Sequence, residues 1–210
     1  MRSRLNLNDI LAYIVASSIF FELLLIVGSW AISSSFPDIN IHSLLDSEGI
    51  RWFFGHFTSN LQSPLLVWLI LFGVGRKLFL SSTLPFVLRN FFQGHKTNFR
   101  ERIGLSIVAA EVLFASIVIA FLSFIPQAIL LSVSGDLFPS SFSESIVATL
   151  SFVLLVTGST FALVTGKIRS ISSWFLAMTS GIVSVAPLIV AYIFVVQLIS
   201  SVCFVFSFMI

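Results

Sequence analysis

From Ser173 to Ile210 the chain runs without a single Asp, Glu, Lys or Arg. As a straight helix that stretch would be about 55 Å long, well beyond the 30 Å or so of a bilayer's hydrocarbon core. A segment that apolar on every side needs lipid or a large core around it. Composition selects lipid. Of 210 residues, 57% are hydrophobic and 10% charged, and the mean hydropathy is +1.07, whereas soluble domains carry about 25% charge. Five spans of about 20 residues use about half the chain and leave no room for a separate catalytic domain of about 100 residues. The expected fold is all-α, a polytopic integral membrane bundle in which residues 1–210 form a single transmembrane domain with the bilayer as its main partner.

The first span is expected at about 10–32. It is longer than a signal-peptide h-region of about 7–15 residues and carries Glu22 at its centre, so it reads as a retained helix. Further spans are expected at about 57–75, 103–125, 146–166 and 173–200. Asp46 or Ser47 is an N-cap candidate, and Glu48 falls in the first turn, where a carboxylate suits the helix dipole. Ile50, Phe53, Phe54, Phe57 and Leu61 follow at helical spacing, so a helix is expected to lie in the interface over about 47–57, with Trp52 at headgroup level, before descending. A second interfacial segment is expected at about 78–92, where Phe and Leu surround Pro85 and Arg89; a re-entrant element is the alternative. The long last segment has to tilt, break or leave the bilayer, with Pro187 and Ser200-Ser201 as the candidate breaks.

Charge placement orients these spans. Arg2, Arg4, Arg76, Lys77, Arg89, Lys96, Arg100, Arg102, Lys167 and Arg169 all fall on one side, whereas the other side holds Asp38, Asp46, Glu48, Asp136 and Glu144 with Arg51 as its one basic residue. The positive-inside rule then places the N-terminus in the cytoplasm and directs the C-terminus outward. Membrane orientation accounts for the basic residues, so no nucleic-acid partner is expected.

Several chemistries find no residues. Cys203 is the one cysteine, which leaves no intrachain disulfide and no thiolate metal site. His42, His56 and His95 show no metal-ligand spacing; His42 with Asp46 and Glu48 reads as a solvated loop. No phosphate loop, nucleophile elbow or zinc-protease motif is present. No enzyme and no cofactor is expected.

Small residues suggest close helix packing. Gly158, Ala162 and Gly166 recur every four residues, as do Ser173, Ala177 and Gly181. An antiparallel pair joined by a short turn would set Gly166 beside Ser173, Ala162 beside Ala177 and Gly158 beside Gly181, the small-residue contact by which helices associate in lipid.

Two carboxyls stand inside the spans. Glu22 lies about 18 Å and Glu111 about 12 Å from the cytoplasmic start of its span. An ionised Asp at mid-bilayer costs about 2.5–3.5 kcal/mol on insertion scales, so each carboxyl needs a proton or a partner such as Gln127, Gln197 or a hydroxyl. Glu111 has the further option of reaching back toward Arg100 or Arg102. Both are candidates for proton or cation coupling in a transporter; the alternative is a neutral bridge between helices.

The stretch Ser43-Leu44-Leu45-Asp46-Ser47-Glu48-Gly49-Ile50-Arg51-Trp52, followed by Asn60 and a run ending Gly73-Val74-Gly75, resembles the p-aminobenzoyl-glutamate transporter family. The match covers about residues 8–75 and ends at Arg76-Lys77, where the family continues Ala-Glu. It implies a short or reduced relative of these transporters in the bacterial inner membrane. Leu44, Leu45, Gly49, Arg51, Trp52, Asn60, Gly73 and Gly75 match scaffold or interface positions, so no substrate site is carried over. The function expected is movement of a small organic anion or aminoacyl-amide solute, by one chain or by a homo-oligomer, with a proton or cation as coupling ion. A non-transporting membrane scaffold or accessory subunit is the second class.

Overall fold

The computed structural model describes residues 6–36, 40–95, 97–124 and 140–207. Seven helices, and no strand, occur among the described residues: α1 (Leu7–Ser35), α2 (Ser47–Leu61), α3 (Pro64–Ser81), α4 (Leu84–Phe92), α5 (Phe99–Phe124), α6 (Ser141–Val164) and α7 (Ile171–Val205). Five of them, α1, α3, α5, α6 and α7, are long and apolar enough to cross a membrane.

Local chemistry sets the helix ends. The Asn6 amide donates to the Asp9 carboxylate at 3.1 Å to open α1, and the Asn98 amide donates to Glu101 at 2.8 Å ahead of α5. Asp46 is extended before α2, with Glu48 in the first turn. The helix expected to run on from there into the membrane is two helices instead. α2 ends at Leu61, and Pro64 opens α3, where its missing N–H costs no intrahelical bond. Arg76 and Lys77 do not end α3, since both are good helix formers; it runs on to Ser81 and stops at Thr83, which has a φ of 66°. The segment expected at about 78–92 is thus divided between the end of α3 and α4. α6 closes on Gly166 at φ 74°, with the Gly166 amide on Leu163 O and the Lys167 amide on Ala162 O, a Schellman motif. Neither Pro187 nor Ser200-Ser201 interrupts α7, which is continuous from Ile171 to Val205. Its 35 residues span about 52 Å.

Many large apolar side chains face outward, and several polar groups are buried. Ser18, Ser29, Ser82, Ser123, Ser151, Thr157, Gln197 and Ser201 are buried, whereas Phe54, Phe92 and Ile171 are 78%, 82% and 84% exposed. Large apolar groups outside and small or polar groups inside are stable when the solvent is lipid. The fold is that of a multi-pass membrane protein.

The chain divides into two compact units. The first comprises Met1–Val67 with Ala186–Ile210, the second Trp68–Val185. In the first, distant parts of the chain meet through polar and aromatic contacts. The Leu44 amide donates to Ser29 Oγ at 3.2 Å and the His42 amide to Val205 O at 3.0 Å. The Tyr192 hydroxyl reaches Ser63 Oγ at 2.7 Å and Leu61 O at 3.1 Å, while Trp52 stacks on Phe204 with ring centres 4.3 Å apart. In the second unit, Leu84 and Val87 of α4, Val108 of α5 and Phe161 of α6 form one core, and Leu78, Ala162 and Ile168 form another.

Candidate functional site

Both intramembrane carboxyls fall at helix midpoints. The middle residue of α1 is Phe21, next to Glu22, and the centre of α5 falls between Glu111 and Val112. Each has one hydroxyl partner on another helix of its own unit. In the first unit, Ser201 Oγ of α7 donates to Glu22 Oε1 at 2.6 Å. In the second, Thr160 Oγ1 of α6 donates to Glu111 Oε1 at 2.7 Å. The backward tilt of helical side chains carries Glu111 toward the N-terminal half of α5, and so toward the last turns of antiparallel α6. It bonds there to Thr160.

The second oxygen separates these groups from ordinary helix bridges. Oε2 of Glu22 and Oε2 of Glu111 are both buried without a hydrogen-bond partner. Gln197 stands one turn before Ser201 on the same face of α7; it is 6% exposed and neither end of its amide has a partner. A buried amide or carboxyl oxygen left unpaired forfeits about 1–3 kcal/mol, more if charged. Incomplete polar clusters of this kind commonly hold a proton, an ion or a water. Gln127 lies outside the described residues.

Sequence spacing names the carboxyls but not their partners. Ser201 and Thr160 are two of many span hydroxyls, and no periodicity distinguishes them. The one usable clue is that Ser201 follows Gln197 by four residues, which places two polar groups on one stripe of an otherwise apolar helix.

The small residues pack differently from the expected ladder. Ala162 does share a core with Ala177. Gly158, however, faces the α3 backbone, where an added Cβ would stand 2.9 Å from Phe79 Cα, and Gly181 faces α3 at Gly73 and Val74, both 2.7 Å from such a Cβ. Gly181 meets a glycine of α3, Gly73, whereas Gly158 lies on the backbone of Leu78 and Phe79; a Cβ on Gly75 would meet Ser151 O of α6. Gly166 is a turn residue, and Ser173 caps α7 by exchanging hydrogen bonds with Ser170. The Trp174 indole donates to Ser159 Oγ at 2.9 Å, tying α7 to α6.

The residues around the α1–α2 connection have structural positions. Leu44 is buried and Leu45 exposed; Gly49 lies against the backbone of Ser43 and Leu44 with no space for a Cβ. Arg51 is exposed, Trp52 stacks as described, and Asn60 Nδ2 is buried without a partner. His42 packs against Phe204 with ring centres 5.6 Å apart and planes tilted by 50°. No group of three metal-binding side chains occurs among the described residues. Cys203 is a free, half-buried thiol on α7.

Fold and site together define an all-helical, multi-pass membrane protein with two hydroxyl-bound carboxyls at span centres. No protein-family model, curated protein or solved structure matches the chain.

Proposed function

We propose that the chain is a small membrane transport protein in which Glu22 and Glu111 accept the coupling proton or a small cation. One observation carries this reading: each carboxyl has one oxygen satisfied by a hydroxyl and the other buried and open. A neutral or cation-loaded carboxyl is tolerated in a dry span, whereas a bare carboxylate is costly. Loading and unloading thus change the stability of the surrounding packing, which is what couples an ion to a conformational step. The described Lys and Arg of the spans all lie within about two turns of a helix end, so the span centres offer an anion no fixed cation. That favours cation chemistry over the organic-anion solute that the transporter-family resemblance implies.

In this reading the N-terminus is cytoplasmic and the C-terminus is directed outward, following the basic residues around α3–α5 and the α6–α7 turn. The second reading, a membrane scaffold or accessory subunit, is favoured by the helix-to-helix bonds from Ser201, Thr160 and Trp174.

Proteoliposomes loaded with a pH-sensitive dye separate the two. With p-aminobenzoyl-glutamate or tetraphenylphosphonium added as probe solutes, transport predicts solute-dependent proton movement that is lost in Glu22→Gln although the variant folds normally. Traces indistinguishable from protein-free vesicles for both probes would leave the scaffold reading.

A further inference from the structure

α5 and α6 approach closely at Gly104, where an added Cβ would stand 2.9 Å from the Phe161 ring. Farther along, between the second half of α5 and the first half of α6, they leave a groove of about 400 Å³. Its walls include Phe114, Ala115, Phe152 and Val153, and Glu111 is the one ionisable residue among its lining. Neighbouring grooves of about 510 and 580 Å³ have no ionisable residue in their linings. Size therefore does not distinguish this groove; the carboxyl does.

Chemistry narrows the occupant. Glu111 Oε1 is taken by Thr160, and Oε2 is buried without a hydrogen-bond partner, so the carboxyl acts on the groove through its charge rather than by direct contact. A lipid chain would fill the apolar volume but leave a carboxylate's charge uncompensated, and an anion would be repelled by it. Phe114 and Phe152 add aromatic rings to the lining, whose faces attract positive charge. An apolar cavity within the drug-sized range of about 300–1,000 Å³, with a single acidic anchor, suits a bulky apolar cation whose charge is spread or shielded. Such ions are more weakly hydrated than compact ones and cost less to bring out of water.

We propose that the groove beside Glu111 is a binding site for hydrophobic organic cations, with Glu111 as the charge partner and Phe114 and Phe152 as aromatic walls. The proposal rests on Glu111 being a cation-accepting carboxyl and names its ligand class; it requires no transport cycle.

Equilibrium dialysis of the purified chain in detergent against tetraphenylphosphonium tests it. The expected result is saturable binding that weakens about tenfold or more in Glu111→Gln, the loss of one desolvated charge contact. Ala115→Trp, which fills the groove and keeps the carboxyl, should weaken binding similarly. Neutral triphenylphosphine oxide should compete poorly. Absence of saturable binding, or wild-type binding by either variant, overturns the proposal. Equal competition by the neutral compound does so too and leaves an apolar groove for lipid. If Ala115→Trp breaks a dimer of the wild-type chain and tetraphenylphosphonium does not bind, the occupant is a second copy. Should Glu111→Gln fail to fold, Ala115→Trp and the neutral competitor decide. Glu111-dependent binding without solute-driven proton movement would retire the transport reading and keep this one, and the converse result would do the reverse.

Discussion

The two units of the chain are held together in different ways. In the first, residues far apart in sequence are joined by side-chain groups: Ser201 to Glu22, Tyr192 to Leu61 and Ser63, Ser29 to Leu44, and Trp52 to Phe204. In the second, glycines let helices touch backbone to backbone, at Gly73 with Gly181, Gly75 with Ser151 and Gly158 with Phe79. Lipid supplies no hydrophobic drive between helices, so association rests on close packing and polar contacts. The contrast extends to the carboxyls. Ser201, the partner of Glu22, shares a face of α7 with buried Gln197, whereas Glu111 lines an apolar groove. The same residue type at the same depth in a helix thus has two chemical settings, an incomplete polar cluster and the wall of an apolar groove.

Substitutions can break or sharpen this contrast. The largest effect is expected in the second unit. Gly158→Leu drives a side chain into the Phe79 backbone and should cost about 3 kcal/mol or more, with loss of a monodisperse peak in size-exclusion chromatography. If it were tolerated, backbone contact would not be what holds α6 to α3. Ser201→Ala comes next: it strips the donor from Glu22 and should lower stability by about 1–3 kcal/mol in a detergent thermal-melt assay. A neutral result would mean that Glu22 is satisfied in some other way. Tyr192→Phe removes a hydroxyl from Leu61 O and Ser63 Oγ and should cost about 0.5–1.5 kcal/mol in the same assay. Smallest is Gly28→Ala, where a Cβ meets nothing within 4 Å; it should be neutral or stabilise by up to about 1 kcal/mol.

Much of the frame is legible in the sequence because the solvent dictates it. The five apolar helices follow from hydropathy, and the start of α2 follows from Asp46 and Glu48. The break at Pro64 is also written there, but the helical spacing of Phe53, Phe54, Phe57 and Leu61 masks it. The partners of the glycines are a different matter. Adjacent helices α6 and α7 look like each other's natural neighbours, and nothing local reveals that Gly158 and Gly181 both meet α3; Gly73 is a signal for Gly181 alone, since Gly158 packs on Leu78 and Phe79. The carboxyl sites divide the same way. Glu22 and Glu111 stand out because charge in a span is costly, but Ser201 and Thr160 are ordinary span hydroxyls chosen by tertiary packing.

The central claim is that the open oxygens of Glu22 and Glu111 make these groups exchange a proton or cation with the aqueous phase rather than serve as fixed bridges. Infrared spectra of the lipid-reconstituted chain, recorded across a pH titration in the carboxyl C=O stretching region, test it directly. The account predicts a reversible carboxyl band that Glu22→Gln removes. A band that stays constant across the titration, or that survives the replacement, would contradict it.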